Sequence, residues 1–166
     1  RKNTDQEPIP KIAVVSRSGE FNFDTAFFKE ATNKPIIFTS DIGAKIISNY
    51  SESAEVISCG KMGVDLRLAI DELVKRGYKN ILCEGGPTLN SELLRSRLVD
   101  ELCLTVSPKI TQGNGDRIFN GPKLEIPVEF EYQAIFIDEG ELFFRLKNNS
   151  ALCILPFPSE VKNWLI

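Results

Sequence analysis

The chain is 166 residues long, enough for one layered domain and short for two. Twenty basic and 23 acidic residues leave a formal charge of -3, so no broad basic field favours nucleic acid or an anionic membrane surface, and any phosphate must be bound locally. Histidine is absent, which removes serine-histidine relays and histidine-metal sites, and with them most hydrolase chemistry. Cys59, Cys83, Cys103 and Cys153 stand far apart with no CxxC or CxH spacing, and the first three lie in apolar or strand-like contexts, as small hydrophobes do. No apolar run approaches the roughly 20 residues of a membrane helix and no secretory signal is visible, so a cytoplasmic chain without metal, membrane or nucleic-acid partners is expected. The Asn148-Asn149-Ser150 sequon reads as a chance match in a polar turn.

From Lys11 the pattern alternates. KIAVVS is a strand rich in β-branched residues, TAFFKEA a short helix and KPIIFTS a second strand. Asp41 is placed to cap a helix over GAKIISNY, and AEVISCG follows as a third strand. DLRLAIDELVKRG is the clearest helix: Leu66, Ile70, Leu73 and Val74 share a face, Asp65 can cap its start and Gly77 suits its end. NILCEGG supplies a fourth strand, and four strands separated by helices predict a largely parallel sheet.

After Gly86 the grammar changes. Pro87 suits the first position of a helix over PTLNSELL, with Leu89, Leu93 and Leu94 on one stripe. DELCLTVSP is a two-faced strand stopped by Pro108, and EFEYQAIFI and ELFFRLK form a hairpin through Asp138, Glu139 and Gly140, giving the sheet an antiparallel edge. The tail from 148 to 166 is more apolar than a free end should be. Docking on its own domain is preferred to a subunit interface, because the segment holding Phe157 and Trp164 carries two prolines, Pro156 and Pro158, and no helical stripe. One domain over 1–166 is expected.

Open α/β sheets bind ligands beyond the carboxyl ends of their strands, which here are Ser16, Thr39 with Ser40, Gly60, and Glu84 with Gly85 and Gly86. Gly85-Gly86 fits either a tight turn or a phosphate site, and the Pro87-Thr88 helix start, with its bare amides, raises the second reading. Thr39 and Ser40 are either helix caps or hydroxyls for an adenosine 2′-phosphate, with Lys45 one turn in. Asp41 keeps a ribose-binding alternative open. Glu84 ends an apolar strand, where a carboxylate must pair with a cation or face a polar ligand. Gly113-x-Gly115 is an ordinary loop, since no helical stripe follows it. Asp100-Glu101 starts a strand or pairs with Arg95 and Arg97.

Residues CEGGPTLNSELLRSRLVDELCLTVSPKI and the following GNGDRIFNG resemble the C-terminal reductase domain of the bifunctional riboflavin-biosynthesis deaminase-reductase, a relative of dihydrofolate reductase. The match is specific over Glu84 to Gly121. The element order is compatible from about Lys11 to Lys147. The resemblance implies a dihydrofolate-reductase-like three-layer α/β/α fold with a mostly parallel sheet and an antiparallel C-terminal hairpin. It implies an NADPH-dependent reductase of a phosphorylated ribosylaminopyrimidine of the 5-amino-6-(5-phosphoribosylamino)uracil type, forming the ribitylamino product. Gly86, Pro87, Thr88 and Leu89 would line the cofactor diphosphate and Thr39 or Ser40 its adenosine end, Gly60 and Gly85 would belong to the same cofactor site, and Glu84 would face the pyrimidine. It names no proton donor. Homodimers are implied, with Val128 to Lys147 as the surface. Family members also carry an upstream strand and glycine-rich turn that do not occur here, and with no initiator methionine at Arg1 we expect chain to precede it. A same-fold reductase of another pterin-like heterocycle, or a nucleotide-binding or dimerising module without turnover, are the alternatives.

Overall fold

The computed structural model describes residues 9–149 and 162–165. They fall into two compact units, Arg1–Ala69 and Ile70–Ile166, divided inside a helix.

The first unit alternates β1 (Ala13–Ser16), α1 (Ala26–Lys29), β2 (Ile36–Thr39), α2 (Asp41–Ile46) and β3 (Glu55–Ser58), with a single 3-10 turn at Ser48–Tyr50. The strands form a parallel sheet in the order β1-β2-β3. Ile36, Ile37 and Phe38 are essentially fully buried because β2 is paired on both sides. Phe23, Phe28, Ile37, Ile47 and Ala54 make the core, with Phe21 and Val56 against it. The ring of Tyr50 stacks on Phe23 with centroids 4.1 Å apart. Helix α2 differs from expectation at its start. The capping side chain is Ser40, whose Oγ accepts from the Gly43 N–H at 3.0 Å, and Asp41 is already helical. Ser40 holds the extended backbone (φ -79°, ψ 168°) that an N-cap needs.

Helix α3 (Leu66–Lys75) starts and stops as its sequence predicts. Asp65 Oδ1 accepts from the amides of Arg67 and Leu68, and Gly77 takes φ +87° at the end. Leu66, Ala69, Ile70 and Leu73 are buried.

The second unit contains β4 (Asn80–Cys83), α4 (Pro87–Arg95), β5 (Glu101–Val106), β6 (Phe130–Asp138), β7 (Glu141–Asn148) and β8 (Lys162–Leu165). Its sheet has the order β4-β8-β5-β7-β6. The expected hairpin is present. Glu139 and Gly140, both at positive φ, turn β6 into β7, and β7 runs antiparallel between β6 and β5.

Two expectations change. The four alternating strands do not form one described ladder: β4 pairs with β8 rather than with the β1-β2-β3 sheet. In the apolar tail, for which the sequence suggested no regular element, Lys162–Leu165 form a strand parallel to both β4 and β5. Residues 150–161 and 166, including Cys153 and Phe157, lie outside the described residues.

Glu101 starts β5, yet its partner is neither Arg95 nor Arg97. Arg145 on β7 donates to its carboxylate through Nε (2.6 Å) and Nη2 (3.1 Å), a two-point pairing that also raises the arginine's own pKa. Asn148 is buried and donates to the Val99 carbonyl at 2.8 Å, a structural role consistent with the sequon being a chance match.

Candidate functional site

The carboxyl edge of the first unit brings Ser16, Thr39, Ser40 and Gly60 to one end of its parallel sheet. The hydroxyls of Thr39 and Ser40, expected to face a phosphate, point inward: the two residues are 0% and 1% exposed. Ser40 Oγ donates to the Arg17 carbonyl at 2.8 Å while capping α2. Thr39 Oγ1 makes no hydrogen bond and is covered by Gly43, where an added Cβ would collide with it. Gly60 has a structural reason for being glycine. Its φ is +138°, a Cβ would lie 2.6 Å from the Gly63 carbonyl, and its own carbonyl accepts from the Asp41 amide at 2.8 Å. The Asp41 carboxylate accepts from the Ser58 hydroxyl. Lys45 is exposed.

The close approach of Gly43 to Thr39 makes Gly43→Ala a test of this packing. The helix should gain propensity but lose about 1–3 kcal/mol to overpacking, lowering the midpoint of urea unfolding.

In the second unit β4 ends at Cys83 and α4 begins at Pro87, leaving Glu84, Gly85 and Gly86 as the connection. Gly85 has φ +93° and is joined to Gly86 by a cis peptide bond. Gly86 occupies the N-cap with φ -69°, and no side chain caps the helix, so the first-turn amides of Thr88 and Leu89 have no internal acceptor. Pro87 sits in the first turn, where its missing N–H costs nothing. A Cβ on Gly86 would meet no atom within 4 Å, so the turn is open on that side. The fit to a diphosphate is therefore good: free amides at the positive end of a nine-residue helix, approached across glycine.

Glu84 is exposed, so the burial that would have demanded a partner does not occur, and it makes no hydrogen bond or ion pair with another described residue. The Thr88 side chain is exposed and that of Leu89 half-buried. Burial raises the pKa of the Cys83 thiol, partly offset by the Gly85 amide, and also raises that of Cys103. Both thus remain protonated at neutral pH. Cys83 and Cys103 are free thiols.

Sequence reasoning missed Asn90 and Ser91, which share the buried face of α4 with Leu93. The segment 118–121 lies along them. Asn90 Nδ2 donates to the Ile118 carbonyl, the Asn120 amide donates to the Pro87 carbonyl, both at 3.0 Å, and Gly121 abuts the Ser91 hydroxyl. The signal was available: two adjacent polar residues of poor helix propensity one turn into the helix that follows the paired glycines. Gly113-x-Gly115 is an exposed loop, as its sequence predicts.

These elements build a dihydrofolate-reductase-like α/β fold. It matches the solved structure of a pyrimidine reductase-like protein from Corynebacterium diphtheriae with a TM-score of 0.71 at 24% identity, covering 84% of this chain and 61% of that one. It matches RibD of Acinetobacter baumannii with a TM-score of 0.67 at 17% identity, covering 84% and 38%. Residues 1–136 match the RibD C-terminal domain, and the chain belongs to that family. Among curated relatives it is 35% identical over 71 residues to the 2,5-diamino-6-ribosylamino-4(3H)-pyrimidinone 5′-phosphate reductase of Methanothermobacter thermautotrophicus, covering 43% of this chain and 33% of that protein. To the reductase of the same name from Aquifex aeolicus it is 43% identical over 60 residues, covering 36% and 27%. The aligned part spans a third or less of these two relatives.

Proposed function

We propose that this chain is a reductase of a phosphorylated ribosylaminopyrimidine, acting in riboflavin biosynthesis with a nicotinamide dinucleotide, and that the dinucleotide is NADPH. The observation that carries the reading is the uncapped start of α4 beneath the Gly85-Gly86 turn, with the Glu84 carboxylate exposed at the strand end beside it. Family membership supports it. When bound, the cofactor supplies the hydride. The chain's part is to bind and orient: the amides of Thr88 and Leu89 and the open side of Gly86 receive the diphosphate, and the Glu84 carboxylate accepts from the N–H groups of the pyrimidine.

The choice of NADPH over NADH follows the family resemblance, and one feature of the first unit, considered by itself, is in keeping with it. The carboxylate that would suit a free ribose, Asp41, is engaged by Ser58, whereas Lys45 is exposed on the same helix. In this reading Thr39 and Ser40 act by shaping the start of α2, and Gly60 by holding it, rather than by presenting hydroxyls.

Calorimetric titration with NADPH and then NADH tests both levels. NADPH should bind at least about tenfold more tightly, the effect of one charge-assisted contact. Absence of binding to either would leave a non-catalytic module as the better account. Glu84→Gln should leave the NADPH dissociation constant unchanged while lowering kcat/KM for the pyrimidine about 10- to 100-fold, the loss of one hydrogen bond to a charged acceptor. Equal loss of both would make Glu84 a structural carboxylate.

For pairing with a second copy, the expected range 128–147 contains β6, the outermost strand of its sheet. Tyr132, Ile135, Phe136 and Ile137 on it are all more than half exposed. An apolar, unpaired edge of this length supports dimer formation there.

A further inference from the structure

Asn90 links β4, the glycine turn and the 118–121 segment through its side chain and its backbone amide. It is 5% exposed, in the first half of a helix whose solvent-facing positions would tolerate any polar residue. Its Nδ2 donates to the Ile118 carbonyl at 3.0 Å, and its Oδ1 faces the Cys83 Sγ at 3.7 Å. A Cβ on Gly85 would stand 3.2 Å from Nδ2 and 3.4 Å from Oδ1, so the amide forms the floor under the left-handed residue of the turn. The Asn90 backbone amide donates to the Gly86 carbonyl at 3.0 Å.

This placement needs a short side chain with a donor and an acceptor at fixed separation. Aspartate keeps the shape but sets an acceptor against the Ile118 carbonyl and a negative charge under the turn. Leucine keeps the volume and removes both functions. Helix propensity favours leucine over asparagine, so propensity does not explain the residue.

We propose that Asn90 is the positioning residue of the diphosphate turn, holding Gly85 and Gly86 at the height set by β4 and locking the 118–121 segment to the same helix, so that cofactor binding orders both together. The inference rests on the reading that this turn receives a dinucleotide diphosphate. Asn90 itself touches no reacting atom. Its effect passes through the glycine backbone, where a displacement of about 1 Å is enough to cost up to about 100-fold.

The test uses the full chain and NADPH. Asn90→Asp and Asn90→Leu should weaken NADPH binding about 10- to 100-fold by calorimetry, with kcat at saturating NADPH within about threefold of the parent and the pyrimidine KM unchanged. A purely structural asparagine would lower the melting temperature and leave the NADPH dissociation constant of the folded variant alone, and that result overturns the proposal. A second measurement needs no variant. In the parent protein, NADPH should slow hydrogen exchange at 118–121 together with 85–89, whereas protection confined to 85–89 overturns the coupling. If the parent binds no dinucleotide at all, the cofactor reading fails and this inference with it. Parent binding with unaltered affinity in both variants removes only the role of Asn90.

Discussion

Deleting Lys162–Leu165 should unfold or aggregate the second unit at temperatures where the intact chain is folded. Strand β8 pairs with β4 at four positions, Asn80 to Cys83, and with β5 at Glu101 and Leu102. Its removal leaves the facing edges of β4 and β5 without ladder partners, side by side in the interior of a sheet rather than at its margin. A net 0.5–1.5 kcal/mol for about one backbone bond at each of these positions amounts to about 3–9 kcal/mol, a large share of the 5–15 kcal/mol that holds a typical domain together. Two newly opened strand edges also invite pairing between molecules. Urea unfolding and size-exclusion chromatography of the shortened chain should show a lower midpoint and larger species. An unchanged midpoint would mean that β8 contributes nothing to the folded sheet.

Gly86→Val should abolish useful NADPH binding while leaving the chain folded. At φ -69° and ψ -174° the position is open to any L residue, and an added Cβ meets nothing within 4 Å. The isopropyl group would instead occupy the space above the first turn of α4, where the diphosphate is proposed to lie. Loss of both charge-assisted bonds from the Thr88 and Leu89 amides, at about 1.5–3 kcal/mol each, predicts a dissociation constant raised about 100-fold or more. Calorimetry alongside a circular-dichroism melt separates the two effects. Unchanged affinity in the folded variant would remove the turn from the cofactor site. Gly85 cannot serve for this experiment, because φ +93° and the Asn90 amide make its glycine a structural requirement.

Several elements were legible because their causes are local. The caps of α3 at Asp65 and Gly77, the turn at Glu139-Gly140 and the proline-started helix after the paired glycines each follow from a residue acting on its own neighbours, and each is found where its residues stand. The start of α2 was left between two residues, since Ser40 and Asp41 are both competent caps and the choice depends on which backbone extends from β2. Ser40 takes it because its hydroxyl also reaches the Arg17 carbonyl, a contact 23 residues away in sequence.

By itself, then, the sequence determined the alternating first half, the antiparallel hairpin, the glycine turn with Glu84 before it and the absence of histidine chemistry, all of which rest on spacing and residue type. Only the tertiary structure decided that β8 enters between β4 and β5, that Glu101 pairs with Arg145, that the Thr39 and Ser40 hydroxyls face inward, and that Asn90 stands beneath the turn. The physical reason is common to these cases. Strand neighbours, ion-pair partners and the direction of a buried side chain are settled by which distant segments can satisfy one another's hydrogen bonds once water is excluded, and that competition leaves no periodic mark along the chain.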